Sequence, residues 1–192
     1  MTRHRYLLGL GFMLASVPAL SGQSAHPARL TASVRGGLAF PRVALGPDST
    51  YQGDVQVSWQ ADFGVEVGRR MALGLEVIHN STPDFAGDCP SKCSPSPDYT
   101  ALSARVNWAP TRGASPAAVL LSAGAGLYRV HGDYGPAKST EFGVHAVVEL
   151  PVFRLQRALW LAPALRGDAL PGVTSSGLYV ISLTLGLRYW GL

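Results

Sequence analysis

The chain alternates. Residues 178–189 read LYVISLTLGLRY, with Tyr179, Ile181, Leu183, Leu185, Leu187 and Tyr189 in one phase and Val180, Ser182, Thr184, Gly186 and Arg188 in the other. A period of two is the signature of a β-strand with two unlike faces. The pattern recurs eight times, near 30–40, 54–68, 71–80, 99–108, 117–130, 140–150, 158–169 and 178–189. Around 30–40, Leu30, Ala32, Val34, Gly36, Leu38 and Phe40 oppose Thr31, Ser33, Arg35 and Gly37. Around 54–68, Val55 to Val67 oppose Gln56, Ser58, Gln60, Asp62, Gly64 and Glu66. The stretch 158–169 is interrupted by Pro163, a residue that strands tolerate at edges or bulges. The longest connections, 41–53 and 81–98, follow the first and third stretches, so an up-and-down meander brings them to one end. They are read as loops.

An antiparallel eight-strand meander closes either as a soluble, lipocalin-like carrier with an apolar interior or as a membrane barrel with an apolar exterior. The polar phase decides. It is built from Gly, Ala and Ser with Arg35, Arg105, Arg166 and Arg188 set against Asp62, Glu66, Glu76, Glu149 and Asp168, and it has no Lys. Near-cancelling charges and small residues suit a narrow lumen filled by side chains. His145 belongs to the same face as a hydrogen-bonded filler. Aromatic residues stand on the apolar phase toward strand ends: Phe40, Trp59, Trp108, Phe142, Tyr179 and Tyr189. Such rings favour the lipid–water interface. The ten steps from Tyr179 to Tyr189 cover about 34 Å, or about 24 Å when tilted about 45°, matching an apolar band of about 25 Å.

Composition sharpens this. Charged residues make up only 15% of the 192, against 47% hydrophobic, and Lys92 and Lys138 are the only lysines. The net charge of +4 is too small and scattered for nucleic acid. The start, MTRHRYLLGLGFMLASVPALSGQSA, has Arg3 and Arg5, an apolar run from Tyr6 to Val17, and a small-residue exit. It reads as a signal peptide over 1–25, cleaved between Ser21 and Ala25, followed by one barrel domain over 26–192. Twelve apolar residues are too few for a spanning helix. In an exported chain Cys89 and Cys93 are read as a short-loop disulfide; a metal reading would draw on His79 and Asp84, and none is expected.

With these features the chain resembles the small eight-stranded outer-membrane β-barrel family, of the OmpA-domain, OmpX and OmpW kind. Thr184, Gly186 and Tyr189 match the terminal signal that the family's insertion machinery reads, while Gly191 and Leu192 depart from its final aromatic positions. The resemblance implies a bacterial outer membrane, with the lipid bilayer, lipopolysaccharide and the insertion machinery as partners. Some relatives of this kind are lipid A deacylases, which use a lipid-facing His-x-Ser pair. His79 and Ser81 have that spacing, and a His-activated Ser is sound acyl-transfer chemistry. Thr82 stands where those enzymes have Asn, and no lipid-facing acid is found for His79. The reading is therefore a structural or interaction protein with a plugged lumen, no catalytic residue, no cofactor and an unidentified extracellular ligand.

Overall fold

The computed structural model describes residues 29–46, 49–67, 70–82, 98–110, 119–131, 139–173 and 177–190. The strands are β1 (Leu30–Gly46), β2 (Ser49–Gln52), β3 (Gln56–Glu66), β4 (Met71–Ser81), β5 (Asp98–Trp108), β6 (Leu120–His131), β7 (Ser139–Glu149), β8 (Phe153–Gln156), β9 (Leu159–Leu170) and β10 (Leu178–Trp190). Each long strand pairs antiparallel with its neighbours, and β10 pairs with β1. The sheet closes into an eight-stranded barrel, with β2 and β8 as short additions.

The ladder can be followed once around: Thr31, Gly64, Gly74, Arg105, Gly124, His145, Asp168, Val180 and back to Pro41. The circuit returns ten residues beyond its start. With eight strands, that stagger fixes a tilt of about 40° and a backbone radius of about 8 Å. A cylinder this narrow holds side chains and little else.

The alternation sorts the side chains as period two requires. Val34, Leu75, Leu102, Leu127, Leu165, Leu183 and Leu185 face out and are exposed. Arg35, Glu76, Arg105, Arg166 and Arg188 face in and are buried. An apolar interior, as a lipocalin-like carrier would have, is thereby ruled out at this level of the barrel. The far half of the interior is different. Ile78, Tyr99, Ala101, Tyr128, Leu170, Leu178 and Val180 form an apolar cluster there. It shares that half with the buried polar residues Gln56, Ser58, Gln60 and Asn80, because the interior must be filled to packing density whatever its polarity.

Two connections are also more ordered than expected. β1 runs past Phe40 to Gly46 and pairs with β2, through Val43 opposite Tyr51 and Ala44 opposite Thr50. The segment 41–53 is thus largely a hairpin, whose backbone ladder continues β1 beyond Pro41. β9 continues unbroken through Pro163. The Pro163 carbonyl accepts from Leu150 N at 3.0 Å. Its missing donor therefore points at the same neighbour, where the pairing strand is already interrupted between β7 and β8.

Both described ends of the barrel, Leu30 and Trp190, lie on one rim, here the near rim, with connections 67–70, 109–119 and 150–158. The far rim carries the connections around 41–55, 82–97, 132–138 and 171–177. Residues 1–25, Cys89 and Cys93 lie outside the described residues.

Candidate functional site

The lumen holds the densest chemistry in the described chain. The β3–β4 register sets Asp62 directly opposite Glu76, two carboxylates that would repel unless a cation lay between them. Two arginines do. Arg35, opposite Gln60 on the β1–β3 ladder, reaches Asp62 Oδ2 at 3.0 Å and Glu76 Oε1 at 3.2 Å through Nη2. Its Nη1 lies 2.9 Å from Glu149 Oε2. Arg105 Nη1 lies 3.1 Å from Asp62 and 2.8 Å from Glu76. Its remaining nitrogens donate to Asn107 at 2.8 Å and Ser122 at 2.7 Å.

Two further arginines extend the network across the barrel. Arg166 bonds Glu76 and grips Asp168 with Nε at 2.8 Å and Nη2 at 2.7 Å. Arg188 grips Glu149 through Nε and Nη2 and lies 3.4 Å from Asp62. Ser33 donates to Asp62. Tyr128 and Tyr99 donate to Asp168 at 2.8 and 3.2 Å, which ties the ionic layer to the apolar cluster above it. His145 sits between the layers, with Nε2 3.2 Å from Glu76 and Nδ1 3.3 Å from Tyr128 Oη.

Four arginines thus meet four carboxylates, and each of these side chains is at most 1% exposed. A buried guanidinium is costly unless it is paired and its donors are satisfied, and here nearly every donor has an acceptor. The arrangement is a cross-brace between the walls of the barrel.

Glu66 lies at the edge of this layer, opposite Ala72. The alternation placed it in the lumen, but it ends β3 at the near rim and accepts the Trp190 indole N–H. Phase alone carries no information about depth. The aromatic residues Trp59, Trp108, Phe142, Tyr179 and Tyr189 stand on the outer wall, all exposed, and Phe40 faces out beside them half-buried. Trp59, Phe142, Tyr179 and Phe40 lie toward the far rim, Trp108 and Tyr189 toward the near rim. Sequence reasoning puts Ser33 and Ser122 in the polar phase but not in the network, and assigns Tyr99 no face, although each shares the phase of an inward arginine on its own strand or its partner.

His79 also faces outward, with its ring 5.5 Å from Trp59 and its Nδ1 2.8 Å from Thr100 Oγ1. That nitrogen's partner is a hydroxyl and not an acid. Asp98, at the start of the adjoining strand, accepts from Thr82 N at 2.7 Å and from Gln56 at 3.2 Å. Among the described residues no group of three or more His, Cys, Asp or Glu is placed to hold a metal.

No protein-family model matches the chain, and no curated protein matches it. Solved structures do. The crystal structure of Neisserial surface protein A superposes with a TM-score of 0.63 at 16% identity, covering 87% of this chain and 99% of that one. Ail, the attachment invasion locus protein of Yersinia pestis, solved with the heparin analogue sucrose octasulfate, gives 0.45 at 14%, covering 86% and 99%. The outer membrane protein OprG from Pseudomonas aeruginosa gives 0.40 at 12%, covering 83% and 95%. The likeness rests on the first, and it is one of fold: a small eight-stranded barrel.

Proposed function

We propose that this chain spans a bacterial outer membrane as a closed barrel and acts at its surface, through the connections 41–53 and 81–98, without forming a steady pore. One observation carries the reading: four arginines and four carboxylates, essentially inaccessible, brace a lumen of about 8 Å backbone radius from wall to wall. The exposed Leu, Val and Phe of the outer wall supply the band that lipid would cover. Bilayer and lipopolysaccharide are its expected surroundings, and the insertion machinery its expected partner during assembly. No catalysis is assigned to it. The rival hydrolase would need Ser81 and His79, and lipid-deacylation assays that lost activity on Ser81→Ala would favour that rival.

The test has two arms. Unheated protein folded in detergent should migrate differently on a gel from boiled protein. Planar-bilayer recordings of the same preparation should show no large, stable conductance. Steady open channels in the unmodified protein would overturn the closed-lumen reading.

A further inference from the structure

The two rims differ in charge. At the near rim Arg29 precedes β1, Arg70 ends the β3–β4 turn, and Arg154 and Arg157 lie in β8 and the turn after it. All four are exposed, and among the described residues none is in an ion pair. Arg154 stacks over the Trp160 ring at 5.5 Å and donates through Nε and Nη2 to the Gln156 and Arg157 carbonyls at 3.2 and 2.7 Å, so it contributes charge more than open donors. The one described carboxylate there outside the braced lumen is Glu66, which already holds Trp190. The sequence puts no Asp or Glu in 67–70, 109–119 or 150–158, whereas the far connections carry Asp48, Asp54, Asp84, Asp88 and Asp133. Trp108 and Tyr189 stand on the outer wall at the same end, amphipathic rings of the kind that settle at headgroup depth, while Trp160 and Trp190 share the inward phase of Arg188.

We propose that the near rim is a docking collar for anionic phospholipid headgroups of the leaflet it meets. The inference rests on the membrane-spanning reading above. The two longest connections, around 41–55 and 82–97, lie at the far rim, and long connections belong to the outer face of such barrels, so the collar meets the inner leaflet. A guanidinium matches a phosphate with two parallel hydrogen bonds. Arg29, Arg70 and Arg157 can offer such a pair, and with the charge of Arg154 beside them the rim favours a headgroup with net negative charge over a zwitterionic one, whose ammonium offsets its phosphate. Attraction of this kind decays within a Debye length. It therefore acts only on lipids that touch the wall.

The experiment folds the full chain into phosphatidylcholine vesicles doped with spin-labelled phosphatidylglycerol or spin-labelled phosphatidylcholine. The label immobilised at the protein is then measured. The unmodified chain should hold phosphatidylglycerol at least about threefold more strongly, and less so as salt rises. The variant carrying Arg70→Gln, Arg154→Gln and Arg157→Gln should lose the preference. Arg42→Gln with Arg129→Gln, at the far rim, should keep it. No preference in the unmodified chain, or an undiminished one in the triple variant, would overturn the collar. Gel migration of the same vesicles before heating keeps the two readings apart. A chain that folds but shows no preference refutes the collar alone. A chain that never enters the vesicles refutes the spanning reading, and the collar falls with it.

Discussion

Gly186 and Arg35 face each other across the β1–β10 seam. A Cβ on Gly186 would run into the Arg35 stem and the Val34 carbonyl, so the glycine makes room for the guanidinium that separates Asp62 from Glu76. Two predictions follow from this contact. Arg35→Ala strands buried negative charge and should cost about 3–5 kcal/mol, while Arg29→Ala, exposed and unpaired among the described residues, should stay within about 0.5 kcal/mol. Gly186→Ala overfills the site and should cost about 1–3 kcal/mol. Urea unfolding in micelles reads all three; equal midpoints for the two arginine variants would contradict the brace. The inward position of Arg35 was legible from its phase, and its register opposite Gln60 from the way the first two strands pair. The inward tyrosines were harder to see. An aromatic residue in the polar phase fills space as well as it makes hydrogen bonds, and the sequence alone does not say which is needed.

Strands are legible because both faces are chemically distinct and a slip of one residue would exchange them. Their ends are less so. β2 and β8 escaped notice because Pro41 and Pro151 read as punctuation, yet an existing hairpin ladder carries the chain past each. Facing can be tested along a single element. Leu183 and Tyr189 both point outward from β10, one near its middle and one near its end. In lipid vesicles Leu183→Arg should cost about 2–4 kcal/mol and Tyr189→Arg at most about 1 kcal/mol, since the penalty for charge depends on depth. Equal losses would mean that the exposed leucines do not face lipid.

At the scale of the whole molecule, the closure of β1 onto β10 determines when the native state can first exist. The seam joins Thr31 to Trp190 and Val43 to Leu178, residues at opposite extremes of the described chain. Until β10 is in place, β1 and β9 each present an unpaired edge, and no backbone edge is stable in lipid. The arginine brace is equally incomplete, because Arg188 arrives on that same strand. Partial barrels therefore gain little, and most of the stabilisation appears in the final step. Contacts so distant in sequence make that step slow. Refolding should accordingly be a single late transition, with tryptophan fluorescence and protease resistance rising together. A chain ending before Leu178 should fail to reach any protease-resistant state. Its synthesis must be finished, down to the last strand, before any part of the cylinder is safe from degradation.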